Sequence, residues 1–421
     1  MSLIENIKSS FDFVDAIDKA TLFNAIIIFM TLMYLWETYL SFRQYLVQKN
    51  NSKIPEELVS VTDKETFDKS RLYAIDKALY NFVHGFYSQL ESYALLYIGA
   101  LPYIWNLCSK QLSYFSSEWL NSEISISCLF IIYFILYGQI TGLPWSIYYN
   151  FVLEEKHGFN KQTFVFFMKD NLKKLLVSMA LSLPILALLL YIIKIGGDYF
   201  FIYAWVFITI VSLFIITIYA DYIAPLFDKY VPLQEGELKS RIEGLAKSLS
   251  FPLYKLYVKE EKTKGCNTEE ILAVLAHELG HWKLGHNVKN LLLNQINTFL
   301  YFLIFAVLMN RQIFYSSFGF EQEKPVLIGL IVILQFIFAP YNELLSFLMV
   351  SLGRRFEFQA DEFAKKLDKT EHLKSSLIKL HKDNLSFPMC DWLYSAFHYS
   401  HPPLLERLRA LDAPIEDKKR Q

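Results

Sequence analysis

Two histidines and a glutamate, in the order His277-Glu278-Leu279-Gly280-His281, have the types and spacing of a catalytic metal site. On an α-helix, residues four apart lie on the same face, so His277 and His281 could direct imidazole nitrogens at one ion. Glu278 lies about 100° further round the helix, where its carboxylate could take a proton from water beside that ion. The pattern therefore predicts a zinc site with Glu278 as a general base.

The residues before this motif favour the helix that it needs. Asn267 is a good N-cap residue, and Glu270 stands three positions later, as in a capping box. Glu269 and Glu270 also lie near the positive end of the helix dipole. An alternative stays open, since short motifs also arise by chance: a pair of surface histidines on an amphipathic helix.

A third ligand is predicted in the segment that follows the last long apolar stretch. A catalytic zinc site has three protein ligands and one open position. Glu357 and Asp361 are four residues apart and therefore share a helical face. We predict Glu357 as the third zinc ligand, and Asp361 as the acceptor for the free N–H of a zinc-binding histidine. A solvated acidic face is the alternative for these two residues taken alone.

The composition indicates an all-α protein that crosses a membrane several times. Of the 421 residues, 53% are hydrophobic and only 20% are charged, against about 25% charged in an average soluble protein. The net charge of −1 gives no basic field for nucleic acid, so we expect membrane lipid and no nucleic acid as a partner. About 20 apolar residues span a bilayer. Seven stretches are predicted as spans: 21–42, 92–108, 124–145, 175–194, 200–224, 291–309 and 326–350.

Basic residues alternate between the loops that join these spans. They are frequent in 43–91, 146–174 and 225–290 and scarce in the loops between, which predicts that the zinc helix and the C-terminus are cytosolic. Lys418 and Lys419 form the pattern of a dilysine retrieval signal, with a solvated charged tail as the alternative. The chain is thereby divided into a five-span region (1–224), a cytosolic loop with the motif helix (225–290), two further spans (291–350) and a C-terminal helical region (351–421).

Several longer stretches carry a family resemblance. H-E-L-G-H-W at 277–282 is followed by E-F-Q-A-D at 357–361, on a helix after the spans. Together with the stretches 151–161, 225–229 and 398–408, these motifs resemble the Ste24-type CaaX prenyl proteases of the M48 family. The resemblance covers nearly the whole chain. It implies seven transmembrane helices forming a barrel around a water-filled chamber, with a cytosolic zincin-like metallopeptidase part.

The resemblance also implies an activity and two further site residues. The activity is that of a zinc metalloendopeptidase, with one Zn²⁺ per chain, that removes the last three residues of farnesylated CaaX proteins. The resemblance further implies that the protein resides in the endoplasmic reticulum membrane, with the inner nuclear membrane as a second location. His401 and Arg407 match the family's histidine and arginine near the active site, which implies that they donate to the oxyanion. His286 is not at ligand spacing and is interpreted as a cap of the zinc helix.

One stretch departs from the family pattern. The family has a hairpin before the zinc helix, whereas here only residues 259–266 separate Val258 from Asn267. That hairpin would hold the substrate backbone by strand addition, and its loss would leave the strand at 253–258 without a partner. Two other interpretations therefore stay open. One is a catalytically impaired member acting as a membrane binding or scaffold protein, and the weaker one is a transporter with a regulatory metal site.

Overall fold

The computed structural model describes residues 9–227, 231–258 and 267–414. Nearly all of the regular structure in these residues is helical, which confirms the predicted class apart from one short sheet. The α-helices are α1 (Lys19–Asn50), α2 (Lys64–Tyr97), α3 (Ala100–Ser113), α4 (Glu123–Tyr148), α5 (Phe164–Ile195), α6 (Phe200–Ile218), α7 (Glu237–Ser248), α8 (Thr268–Lys283), α9 (His286–Leu308), α10 (Gln312–Ser316), α11 (Val326–Ile331), α12 (Ala339–Lys366), α13 (Thr370–Asp383), α14 (Trp392–His398) and α15 (Leu404–Asp412).

Short π-helical segments continue three of these helices. They are Tyr149–Glu154 after α4, Tyr219–Ile223 after α6 and Val332–Ile337 after α11. Single turns of 3₁₀ helix lie at Asp12–Ala16, Glu56–Leu58, Gly197–Tyr199 and Ala224–Leu226.

Five helical segments within the described residues are long and apolar enough to cross a bilayer. They correspond to five of the seven predicted spans. In the span predicted over 200–224, the α-helix ends at Ile218. A helix satisfies its backbone hydrogen bonds internally, which is what an apolar environment requires. The segments are Lys19–Asn50, Glu123–Glu154, Phe164–Ile195, Gly197–Ile218 and His286–Leu308.

The other two predicted spans differ from straight single helices. The stretch 92–108 is divided at Gly99, whose left-handed φ of +67° separates α2 from α3, so it is not one continuous helix. The stretch 326–350 bends by 61° between the π-helical end of α11 and α12. Counting that bent pair as one span gives six candidates in the part of the chain that the structure describes. A seventh spanning helix and an enclosed chamber stay predictions.

The described residues form two compact units, each assembled from separate stretches of chain. The first unit comprises 9–37, 80–218 and 293–342. The second unit comprises the described residues within 38–79, 219–292 and 343–414. The four-part division along the chain stays a prediction.

Each unit has a core of its own. The first unit has one large apolar core in which Phe130 and Phe305 are fully buried. The second unit has smaller cores, and the one nearest the histidine motif joins α8 to α12, α13 and α15. Its buried members are Ala273, Ala276, Ala364, Leu373 and Leu411.

A two-stranded sheet lies in the second unit. Strand β1 (Val231–Pro232) pairs antiparallel with β2 (Tyr257–Val258), so that Val231 lies opposite Val258. The expectation that the strand ending at Val258 lacks a partner is therefore wrong, because the partner comes from a segment far before it in the chain. The predicted loss of a hairpin at 259–266 and the dilysine pattern lie outside the described residues.

Candidate metal centre

Helix α8 carries the two histidines of the motif and begins with the predicted capping box. The Asn267 side chain accepts a hydrogen bond from the Glu270 N–H at 2.8 Å, and the Glu270 carboxylate accepts one from the Asn267 N–H at 2.9 Å. The same carboxylate accepts from the Ser375 hydroxyl at 2.7 Å and lies 3.3 Å from the Lys379 ammonium. The helix prediction is confirmed, and these contacts also fix the first turn of α8 to α13.

Small side chains let α8 and α12 approach closely. Gly280 lies inside the motif, and a Cβ atom at this position would be only 3.1 Å from the Cβ of Phe363 on α12. Ala276 and Ala364 are both fully buried in the core that joins these helices. The close contact brings Glu357 of α12 opposite the histidine face of α8.

The three predicted ligands lie together at this contact. His277 Nε2 is 3.4 Å from Glu357 Oε2, and His281 Nε2 is 3.4 Å from Glu357 Oε1. The two Nε2 atoms are 3.2 Å apart, and the three ligand atoms lie within 4.8 Å of one another. His277 and Glu357 are buried, and His281 is partly exposed. The geometry is that of three donors arranged around a common point.

The donor set fits a divalent zinc ion. Two imidazoles and one carboxylate are the ligands of many catalytic zinc sites. Glu357 Oε2 is buried and makes no hydrogen bond to the described residues, and Arg407 Nη1 lies 3.5 Å from it, so this oxygen keeps a lone pair for a metal ion. Burial lowers the pKa of His277, but the neighbouring carboxylates of Asp361 and Glu357 outweigh it and raise the pKa to about 9. The centre thus favours positive charge at the place where the ligand atoms converge.

Asp361 and Arg407 form a buried ion pair behind His277. Asp361 Oδ1 lies 2.9 Å from His277 Nδ1 and accepts its N–H. The Arg407 guanidinium donates to both oxygens of Asp361, from Nε at 2.8 Å and from Nη2 at 2.6 Å. Burial opposes the charge of Arg407, but Asp361 outweighs it and raises the pKa of the guanidinium. Arg407 therefore holds the Asp361–His277 pair, and its Nη1 also lies 3.5 Å from Glu357 Oε2.

Glu278 and His401 lie on the exposed side of the centre. Glu278 follows His277 on α8 and is exposed, so that water can reach its carboxylate. His401 lies between α14 and α15, with Nδ1 2.9 Å from Glu357 Oε1 and 73% of its side chain exposed. The hydrogen bond to Glu357 raises the pKa of His401. These two side chains have the access to solvent and substrate that the buried ligands lack.

Sequence reasoning missed two residues near the centre. His286, interpreted as a cap, is fully buried and lies beside His281. Arg354, one turn before Glu357, donates to the Ser395 hydroxyl at 2.8 Å and thereby joins α12 to α14. The one signal for His286 is a third histidine directly after a glycine at the end of the motif helix. Nothing in the local sequence pointed to Arg354.

The chain resembles known proteins along most of its length. Residues 43–229 match the family described as CAAX prenyl protease N-terminal, five membrane helices, and residues 257–415 match peptidase family M48. A CAAX prenyl protease 1 homolog of Homo sapiens is 49% identical and covers 93% of this chain and 95% of its own. The homolog of Arabidopsis thaliana is 43% identical and covers 93% and 97%. The crystal structure of S. mikatae Ste24p matches with a TM-score of 0.85 and 32% identity, over 94% of this chain and 100% of that one. The chain therefore belongs to peptidase family M48, among the multi-pass membrane CAAX prenyl proteases.

Proposed function

We propose that this protein is a zinc metalloendopeptidase that removes the C-terminal tripeptide from farnesylated CaaX proteins. The observation that carries the proposal is the convergence of His277, His281 and Glu357, with the exposed Glu278 next to it on α8. Three protein ligands of this kind leave a position for water, as catalytic zinc sites do. The names of the relatives, which are CAAX prenyl proteases, support the substrate class.

The residues on the open side carry out the proton transfers. His277, His281 and Glu357 would hold the zinc ion, which when bound acts as a Lewis acid on water and on the scissile carbonyl. Glu278 accepts a proton from the attacking water and passes it to the leaving amine. His401 donates a hydrogen bond to the carbonyl oxygen as that oxygen becomes negative.

The buried residues keep a ligand in the correct protonation state. Asp361 accepts the Nδ1–H of His277, so that the lone pair of Nε2 stays directed at the metal position. Arg407 neutralises Asp361 through two hydrogen bonds, which removes the penalty of an isolated buried carboxylate. We assign Arg407 to this supporting part and not to the oxyanion.

The first experiment measures release of the terminal tripeptide from a farnesylated C-a-a-X peptide by the purified chain in detergent. We expect cleavage that a zinc chelator abolishes and added zinc restores. Glu278→Gln should lower turnover by about 10²–10⁴-fold and still bind one zinc per chain. Glu362→Gln, at an exposed acid of α12, is the matched control and should change neither property. Cleavage that resists the chelator, or loss of zinc from Glu278→Gln, would contradict the assigned roles.

A catalytically impaired member of the family is the alternative. The alignment with the human relative runs over 454 positions, more than the 421 residues of this chain, so that relative has residues without a counterpart here. We infer that a substrate-aligning hairpin between Val258 and Asn267 is among them. One zinc per chain without cleavage of the farnesylated peptide would favour this alternative, in which the protein serves as a membrane binding or scaffold protein.

We further propose that the protein resides in the endoplasmic reticulum membrane, with the inner nuclear membrane as a second location. The metal centre and the C-terminus are placed on the cytosolic side, and the distribution of lysine and arginine among the loops supports this orientation. A glycosylation acceptor inserted between α3 and α4 should be modified in microsomes, and one appended to the C-terminus should not. The reverse pattern would overturn the orientation.

A further inference from the structure

A further histidine, His286, is buried beside the metal centre and is neither a ligand nor part of the proposed proton transfers. It is the first residue of α9 and is only 1% exposed. Its ring stacks on Phe356, with the centroids 4.1 Å apart and the planes inclined by 7°. Nδ1 lies 3.0 Å from His281 Nδ1, and Nε2 lies 3.0 Å from Gln359 Oε1. Both ring nitrogens therefore have a partner, and the stacking fixes the plane in which they lie.

The turn between α8 and α9 explains how His286 reaches this place. Gly285 has a left-handed φ of +67°, a conformation that glycine adopts without strain. This conformation separates α8 from α9 and sets the ring of His286 against His281, five residues before it. The histidine thus reaches the side of His281 that faces away from Glu357.

The contacts decide which nitrogen carries each proton. The carbonyl oxygen of Gln359 can only accept, so Nε2 of His286 donates to it. A neutral His286 then has a lone pair on Nδ1, and this lone pair accepts the Nδ1–H of His281. The other nitrogen of His281, Nε2, is left with its lone pair, and it faces Glu357 Oε1 at 3.4 Å.

We propose that His286 is a positioning residue of the metal centre, which together with Gln359 holds the proton of His281 on Nδ1 and leaves Nε2 free to bind zinc. The inference rests on the proposed function, since it needs the ion that the three ligands would hold. The two ligand histidines then differ in what supports them. His277 is backed by a carboxylate paired with an arginine, whereas His281 is backed by an uncharged imidazole and an amide.

Zinc affinity tests this inference without reliance on turnover. The dissociation constant for zinc is measured on metal-free full-length protein by competition with a chromophoric chelator. His286→Leu removes the acceptor and should weaken zinc binding by about 10–100-fold, the usual effect of losing such a partner. His286→Asn places an amide oxygen near the former Nδ1 and should recover most of that loss. A purely packing role of the ring predicts no such recovery.

Two further variants guard against a folding defect. Gln359→Leu keeps the ring of His286 but removes the acceptor for its Nε2–H, and should weaken zinc binding to a smaller extent. His372→Leu changes a histidine of α13 outside the centre and should bind zinc like the parent protein. The melting temperature of each metal-free variant checks that the fold is retained.

Three outcomes would overturn the inference, and they differ in what else they affect. If the parent binds zinc and His286→Leu binds it equally well, or if His286→Asn binds it no better than His286→Leu, only the role of His286 is lost. If the parent chain binds no zinc, the metal centre of the proposed function fails as well.

Discussion

The two units of the protein bury different kinds of side chain. The large core of the first unit is apolar, and the hydroxyls of Ser127 and Tyr315 are among the few polar groups that its described residues bury. The described residues of the second unit include six buried acidic, basic or histidine side chains: Glu270, His277, His286, Glu357, Asp361 and Arg407. Buried ionisable groups are tolerated only when they are paired or meet a cation. The difference teaches that the interior of the first unit is held together mainly by apolar packing, whereas the stability of the second unit and its chemistry depend on the same buried polar contacts.

The largest effect should follow from breaking one buried pair of the second unit. Arg407→Leu leaves the Asp361 carboxylate buried without its cation and should lower the free energy of unfolding by about 3–5 kcal/mol. Unfolding of metal-free protein in detergent measures the change. Arg409→Leu, at a guanidinium that is 65% exposed, should cost less than about 1 kcal/mol. Equal effects of the two variants would contradict the contrast between buried and exposed pairs.

A second effect depends on pH and on a half-buried neutral histidine of the second unit, His381. His381 lines a small cavity with Leu58 and Phe67, and burial lowers its pKa to about 4. The unfolded chain takes up a proton near pH 6.5, but the folded protein does not until about pH 4. Stability from this group is therefore complete above pH 6.5 and falls by about 3 kcal/mol towards pH 4.

The matched variant for this effect is His381→Leu. It should flatten the dependence of the unfolding free energy on pH between 6.5 and 4, because the group that takes up the proton only on unfolding is gone. A wild-type profile with the same slope as that of the variant would show that His381 is protonated in the folded protein.

A smaller effect concerns the loop that carries His401. Arg354 donates to the Ser395 hydroxyl at 2.8 Å and to the Tyr399 carbonyl at 3.4 Å, and it pairs with Glu406. Arg354→Met should release this loop from α12 and lower turnover of the farnesylated peptide about ten-fold, roughly 1.4 kcal/mol in activation free energy. Zinc affinity should stay unchanged, because no ligand moves. The exposed neighbour Arg355→Met should retain full turnover, and an equal loss there would argue against a specific contact.

The smallest effect compares the same substitution in the two units. The Ser127 hydroxyl of the first unit is buried and has no hydrogen-bond partner among the described residues. Ser127→Ala should therefore be neutral or stabilise by up to about 1 kcal/mol. The Ser376 hydroxyl of the second unit donates to the Leu373 carbonyl at 2.8 Å, so Ser376→Ala should cost about 1 kcal/mol. If the two variants shift the melting temperature in the same direction, the predicted difference between the two hydroxyls is wrong.

Local patterns predicted much of the fold and of the candidate site. The capping box at Asn267 and the spacing from His277 to His281 act over single helical turns, so that a short sequence is enough to recognise them. Five spans followed from apolar length. The sequence did not predict the break at Gly99, the 61° bend before α12 or the pairing of β1 with β2. Each of these features depends on how distant segments pack.

The sequence by itself thus determined the ligand types, their helical spacing and the apolar helices, because periodicity and capping are properties of neighbouring residues. Only the tertiary structure decided which residues form hydrogen bonds that support each ligand histidine. Asp361 meets Arg407 from 46 positions away, and His286 meets Gln359 from 73 positions away. These hydrogen bonds depend on how α15 and the start of α9 pack against α12, which itself lies close to α8 at Gly280. Hydrogen-bond geometry is set to within tenths of an ångström by such packing, and spacing along a chain carries no information on that scale.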